Sequence, residues 1–180
     1  MSEIPTFIDA LAARLKLDER EKSTLVAATA TVALPIGFGV FDAGVPCRAY
    51  TFVRSGRIRV HQLDARGGEI TLYRLGPGDT CVLNTASLLS GDGYAAYATT
   101  ETVVDAVTLT ASGFASLLAS SDGFRQFVFR SCGERISSLM RVVREVAFER
   151  IDVRLARRIL AIADGHARIC LLYTSPSPRD

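Results

Sequence analysis

The side chains able to do chemistry crowd into one stretch of the 180-residue sequence. Thr80, Cys81, Asn84, Thr85, Ser87, Tyr94, Tyr97 and Thr99 supply hydroxyls, an amide and a thiol, and no Lys or Arg stands between Arg74 and Arg125. Such a set can hold a neutral or weakly polar ligand by hydrogen bonds. It suits a buried phosphate badly, because a dianion without a local cation is left poorly compensated. The candidate ligand contacts are Asn84, Thr85, Ser87, Tyr94 and Ala95, with Asn84 and Ser87 the best placed. The same residues also fit a degenerate pocket that binds nothing. In that case Tyr94 and Tyr97 pack in a sheet and the Ser and Thr side chains cap turns.

Other chemistries lack their parts. An iron–sulfur centre needs four clustered thiolates, whereas Cys47, Cys81 and Cys132 are widely spaced and Cys170 stands close to the end. With no CxxC pair and no secretory leader, a cytoplasmic chain with reduced thiols is expected. Cys47 and Cys81 read as small buried hydrophobes, and a redox switch has only Arg48 as a basic neighbour. His61 is the one residue that keeps haem open, yet it follows Val60 at a strand end and reads as surface polar. The only other histidine is His166, so a cupin-type metal set is missing and no metal is expected. Neither a hydrolase elbow nor a phosphate-binding glycine loop occurs, so no catalytic residue is assigned and the chain is not expected to be an enzyme.

These side chains must be held by the surrounding elements. Ile4, Phe7, Ile8, Leu11 and Leu15 fall on one helix face, and a second helix is expected over residues 18–30 with Asp18 as its N-cap. From Val32 to Leu109 short β-prone segments alternate with glycines and prolines, and FVRSGRIRV at 52–60 reads as two strands meeting at Ser55-Gly56. A second hairpin turns at Arg66-Gly67-Gly68 and runs into LYRLGPGD at 72–79. Strands this short and this regular indicate a rolled antiparallel sheet or a barrel. Ser112 is the expected cap of a short helix to Ala119, and a long helix begins near Asp122.

That long helix carries Cys132, Ile136, Leu139, Val143 and Val146 at spacings of four, three, four and three. This is a two-heptad apolar seam, which fits either a coiled-coil dimer or a helix facing its own core. Met140 and Val142 add apolar surface, and Arg141, Arg144 and Glu145 flank the seam as interfacial charges do, which favours a homodimer. Net charge is +2 but unevenly spread: ten basic against thirteen acidic residues over 1–124, then ten against five over 125–168. A basic C-terminal third suits nucleic acid and also suits an Arg-rich solvated helix. No apolar run approaches the roughly 20 residues of a membrane span.

Four features occur in order: Gly37, Phe41, Gly44, Pro46 and Cys47 in one segment, FVRSGRIRV, GPGD before a loop-rich cassette, and a long helix running into FERIDVRLARRIL at 148–160. Together they resemble bacterial transcription regulators of the cyclic-AMP-receptor and FNR type over roughly residues 20 to 165. The resemblance implies an α+β fold: a double-stranded antiparallel β-roll with N-terminal helices, then a dimerising helix and a winged helix-turn-helix, with Phe148 and Asp152 at the hinge to the DNA-binding domain. Asp152 would open that domain's first helix. Relatives that bind cyclic AMP carry a Gly-Glu and an Arg-Ser/Thr pair in the cassette. Val82-Leu83-Asn84 and Tyr94-Ala95-Ala96 stand there instead, so cyclic AMP is not the expected effector. FNR-like oxygen sensing lacks its cysteines.

The expected organisation is an effector domain over 1–121, a dimerisation helix over 122–150, the start of a DNA-binding domain over 151–169, and a tail over 170–180. CLLYTSPSPRD in that tail reads as translated sequencing adapter, so native sequence is expected to continue beyond Ile169 and DNA binding by this chain to be poor. The function expected is effector sensing and dimerisation in such a regulator, with an unknown small effector and DNA as partners and no membrane. The alternative is a ligand-binding module acting through protein contacts.

Overall fold

A computed structural model describes residues 3–64 and 66–148, together with 153, 155, 156, 159 and 160. Two helices, α1 (Glu3–Leu15) and α2 (Glu19–Ala28), precede the sheet region. The expected cap of α2 is present as a reciprocal box: the Asp18 carboxylate accepts from the Glu21 amide at 2.7 Å and the Glu21 carboxylate accepts from the Asp18 amide at 3.0 Å. The helix ends at Ala28, short of the expected Ala30, because Thr29 and Ala30 already belong to the first strand.

Seven strands follow: β1 (Thr29–Leu34), β2 (Gly39–Phe41), β3 (Ala49–Ser55), β4 (Ile58–Leu63), β5 (Glu69–Leu75), β6 (Tyr97–Thr100) and β7 (Val104–Thr110). They form two antiparallel sheets, ordered β1-β7-β3 and β2-β6-β4-β5. The turn between β3 and β4 needs its glycine. Gly56 sits at φ +87°, and a Cβ there would run into the Val103 carbonyl. In the β4–β5 turn the Asp64 carboxylate accepts from the amides of Arg66 and Gly68, at 2.8 and 2.7 Å.

Three expectations need correction. The stretch after GPGD is not simply loop: Val82–Ser90 forms a helix, α3, whose Ser and Thr content hid its periodicity. The cap of α4 (Ala111–Ser120) is Thr110, whose hydroxyl accepts from the Gly113 amide at 3.1 Å, with Ser112 inside the first turn. His61 is not surface polar but 5% exposed. The strand runs on to Leu63, and a register shift between Val60 and His61 lets both neighbours be buried, Val60 completely. The imidazole lies beside Tyr97 at 5.9 Å between ring centroids, and its Nδ1 has no hydrogen-bond partner among the described residues.

Two apolar cores share β3 and β7. Val53, Ile58, Val60, Tyr73, Leu75, Ala98, Val104 and Ala106 fill the space between the sheets. Ile8, Leu11, Leu15, Leu25, Tyr50, Phe52, Val107, Leu109, Phe114, Phe124 and Val128 pack the helices against the other face. β7 is central in its sheet and buries residues on both faces, as a strand without an edge must. The last of these helices, α5 (Asp122–Phe148), enters the second core through Phe124 and Val128, both fully buried, and its later turns are exposed.

The entry of α5 depends on a close approach to α1. A Cβ on Gly123 would collide with the Leu15 carbonyl, and the backbone of Lys16 is close behind. Alanine normally favours a helix over glycine by about 1 kcal/mol. Here the collision outweighs it, so Gly123→Ala is expected to cost about 1–3 kcal/mol. Urea unfolding would measure this, and an unchanged or raised midpoint would refute it.

Candidate functional site

The GPGD turn sets the start of α3. The Gly76 amide donates to the Asp79 carboxylate at 2.9 Å, and Gly78 takes φ +84°. The turn is then fastened to β3 from both sides, with Gly78 N–H to the Val53 carbonyl at 2.8 Å and Val53 N–H to the Asp79 carbonyl at 3.1 Å. α3 ends where Gly91 adopts φ 79°. Beyond it Tyr94 exchanges backbone bonds with Gly44 and Val45, so the β2–β3 connection closes over the cassette.

The structure brings four of the five candidate contacts into the interior. Asn84, Thr85, Ser87 and Tyr94 are all buried, whereas Ala95 is exposed and its carbonyl accepts from Gln62 Nε2 at 2.7 Å. Two of the buried four hold α3 in place. The Ser87 hydroxyl donates to the Asp92 carbonyl and accepts from the Cys47 amide at 2.9 Å. Asn84 Nδ2 donates to the Ala49 carbonyl at 3.1 Å and to Thr51 Oγ1 at 3.3 Å. Asn84 Oδ1 is buried without a partner among the described residues, which leaves one strong acceptor free. Tyr94 stacks on Phe41, with ring centroids 3.9 Å apart.

Several residues outside the cassette complete the site. Tyr50 OH donates to Thr80 Oγ1 at 3.1 Å, and Tyr73 OH lies 3.4 Å from Cys81 Sγ. Cys132, read from sequence as part of the apolar seam, is half-buried, with the Thr85 hydroxyl near enough to act on its thiol. Arg135, one turn further along α5, lies over the Tyr73 ring at 3.9 Å from its centroid. The sequence reading found no cation within the cassette; the fold supplies one from a distant helix. From Val128 onward, the described residues of α5 that are at least half-buried are 128, 131, 132, 135, 138 and 142, a stripe whose steps of three and four contain this signal.

The site is neutral apart from that arginine. Burial pushes the Tyr50, Tyr73 and Tyr94 hydroxyls and the Cys81 and Cys132 thiols above their ordinary values, so all five stay protonated near neutrality. Arg135 pulls the other way on Tyr73 and Cys81, but burial outweighs it. Such walls donate and accept hydrogen bonds and offer no nucleophile. Among the described residues no cluster of three or more His, Cys, Asp or Glu could hold a metal ion.

The five raised values make stability pH-dependent in one direction. Below roughly pH 8.5, the ordinary thiol value, these groups are protonated in both folded and unfolded chains and add no slope. Above it the unfolded chain releases protons that the folded chain keeps, so stability falls as pH rises. Urea midpoints are expected to drop between pH 7.5 and 9.5, and less steeply in Tyr73→Phe than in the parent chain. A midpoint that rises over this range would overturn the assignment.

Comparison with known proteins agrees with this architecture. Residues 31–121 match the family model described as the cyclic nucleotide-binding domain. No curated protein sequence matches significantly. Among solved structures, the chain is similar to a transcriptional regulator of the Crp/Fnr family from Eubacterium rectale, at 22% identity and a TM-score of 0.71 over 83% of this chain and 70% of that one. It is similar to the c-di-GMP-responsive global regulator CLP of Xanthomonas campestris at 19% identity and a TM-score of 0.65, covering 80% and 72% of the two chains. It is also similar to the sensor domain of the transcriptional regulator DNR from Pseudomonas aeruginosa, at 18% identity and a TM-score of 0.64, over 84% of this chain and 99% of that domain. The α+β fold, with N-terminal helices, two antiparallel sheets of a β-roll and the long α5, is the fold these regulators share, and the chain belongs to the cyclic nucleotide-binding domain family.

Proposed function

We propose that this chain is the effector-sensing and dimerisation portion of a Crp/Fnr-type transcription regulator. It has no enzymatic role. The observation that carries this reading is the outer face of α5. Phe129, Ile136, Leu139, Met140 and Val143 are 61%, 57%, 43%, 61% and 58% exposed, in a row along the helix. Five large apolar side chains at heptad-like spacing are not left in water by a helix that works alone. A second copy of α5 covers them in the proposed homodimer. Phe129, seven residues before Ile136, extends the row by a further position beyond Cys132, which is half-buried. Phe148, the proposed hinge, is 84% exposed at the end of α5. The side chain of Val146, together with Asp152, residues 161–169 of the proposed DNA-binding start and the 170–180 tail, lies outside the described residues.

The effector is proposed to act between α3 and α5, where Asn84 Oδ1, the Thr85 hydroxyl and Arg135 approach one another's elements. A ligand entering there competes with the Arg135–Tyr73 contact and so changes how α5 leans on the roll. Cyclic AMP remains disfavoured, because the cassette's own residues supply neither a cation nor the carboxylate that the ribose of cyclic-AMP relatives meets. DNA is read by a domain following α5 in the intact regulator. This requires two states that the effector distinguishes by differential affinity.

Leu139→Glu with Val143→Glu is expected to give a monomer by sedimentation, with the β-roll still folded by circular dichroism. A dimer that survives both changes would end the seam assignment. For the effector site, Arg135→Ala is expected to lower stability by about 0.5–2 kcal/mol, the range of a partly desolvated cation–π contact. It should also abolish the thermal shift given by any ligand found in a small-molecule screen, in which cyclic AMP gives none. A cyclic AMP shift retained in Arg135→Ala would place the effector elsewhere.

A further inference from the structure

A second cluster of charge lies on the opposite side of α5 and is used by nothing described so far. A cleft of about 250 Å³ opens between the end of α1 and the first half of α5, lined in part by Arg14, Lys16, Gln126, Arg130 and Glu134. Three cations therefore meet one carboxylate. The side chains of Lys16 and Arg130 form no hydrogen bond or ion pair among the described residues. Arg14, by contrast, is fixed: its Nη1 donates to the Gly78 carbonyl at 3.0 Å and its guanidinium lies over the Phe127 ring at 5.0 Å. One cation is held in place and two can close on a guest.

Lys16 adds an observation independent of charge. It ends α1 in a left-handed conformation, φ 54°, with Leu17 N–H bonded to the Ala12 carbonyl at 3.0 Å and Lys16 N–H to the Ala13 carbonyl at 3.1 Å. Glycine is the residue this geometry favours, and a lysine there carries backbone strain. Attraction to the carbonyl end of α1 accounts for one cation near this position. It does not account for Arg130, which comes from a helix more than a hundred residues further along the chain.

We propose that this cleft is a binding site for a small phosphate-type dianion, either free phosphate or a phosphate monoester. The guanidinium groups of Arg14 and Arg130 are planar forks of donors suited to phosphate oxygens, and Lys16 adds a third positive charge to the lining. Glu134 opposes the anion and limits affinity. Residues 123, 127, 130 and 134 advance by three or four and so share one side of the helix, roughly opposite Ile136, Leu139 and Val143 at about 100° per residue. Dimerisation through the seam leaves the cleft open, and the site stands whether or not the effector reading holds.

The test is titration calorimetry of the 180-residue chain with inorganic phosphate and with glycerol phosphate, against sodium chloride at matched ionic strength. Saturable binding of one anion per chain is expected. Arg130→Ala should weaken it about tenfold, the loss of one charge-assisted bond. Lys16→Gly should weaken it about fivefold without lowering the melting temperature, because glycine relieves the backbone strain while removing the charge. Glu134→Gln should tighten binding, a gain that a folding defect cannot mimic. Tighter binding of the ester than of free phosphate identifies a monoester as the guest; equal binding identifies phosphate itself. Heats matching those of chloride, or unchanged affinity in both Arg130→Ala and Glu134→Gln, would overturn the proposal.

Discussion

Tyr50 is the residue on which the two halves of the molecule depend. Its ring is fully buried among Phe52, Phe114 and Phe124, at centroid distances of 5.2, 5.0 and 6.2 Å. Its hydroxyl reaches out of that core to Thr80, just ahead of α3. One rigid side chain therefore touches α4, the root of α5 and the entrance of the cassette. A ring in close-packed surroundings cannot tilt without displacing its neighbours. Any rearrangement at Thr80 that pulls the Tyr50 hydroxyl is felt at Phe124, the residue that fixes where α5 enters the core.

The anchoring of α5 is correspondingly lopsided. The Ser121 hydroxyl accepts from the Phe124 amide at 3.2 Å, Arg125 donates to the Leu118 carbonyl at 2.7 Å, and Phe124 and Val128 carry no exposed surface. Past Val128 the helix meets the roll mainly through half-buried side chains, of which Arg135 has a defined partner in the Tyr73 ring. A helix fixed at its root and lightly held along its length converts a small change under Arg135 into a larger displacement of its far end. That is the mechanical property the proposed connector between an effector domain and an output domain would need, and here it arises from where the buried aromatic residues stop.

Much of this was legible in the sequence because its causes are local. Glycines at turns, Asp18 as the cap of α2 and a long helix from Asp122 are each written within a few neighbouring residues, and the structure has each of them. What was not legible depends on distance or on exceptions to periodicity. α3 hid because a short Ser- and Thr-rich helix has no long apolar stripe. His61 was misread because a single register shift sent two consecutive side chains inward. Arg135 is not legible from the cassette's own stretch of chain, because the fold delivers this cation from α5. Phe129, seven residues before Ile136, extends the seam by a further position, and it is strongly exposed whereas Cys132 is half-buried.

These details divide α5 into three longitudinal faces with different obligations. One faces the roll through Val128, Cys132 and Arg135. A second exposes Phe129, Ile136, Met140 and Val143. A third carries Arg130 and Glu134 toward the end of α1. Because the helix is one rigid hydrogen-bonded rod, a rotation that changes the first face changes the other two by the same angle. The proposed effector contact, the proposed pairing of two copies and the proposed occupation of the cleft beside Lys16 would thereby be coupled without any relay of side chains between them. Each can bias the same rotation, and the sign of the coupling is set by which rotational state each contact favours.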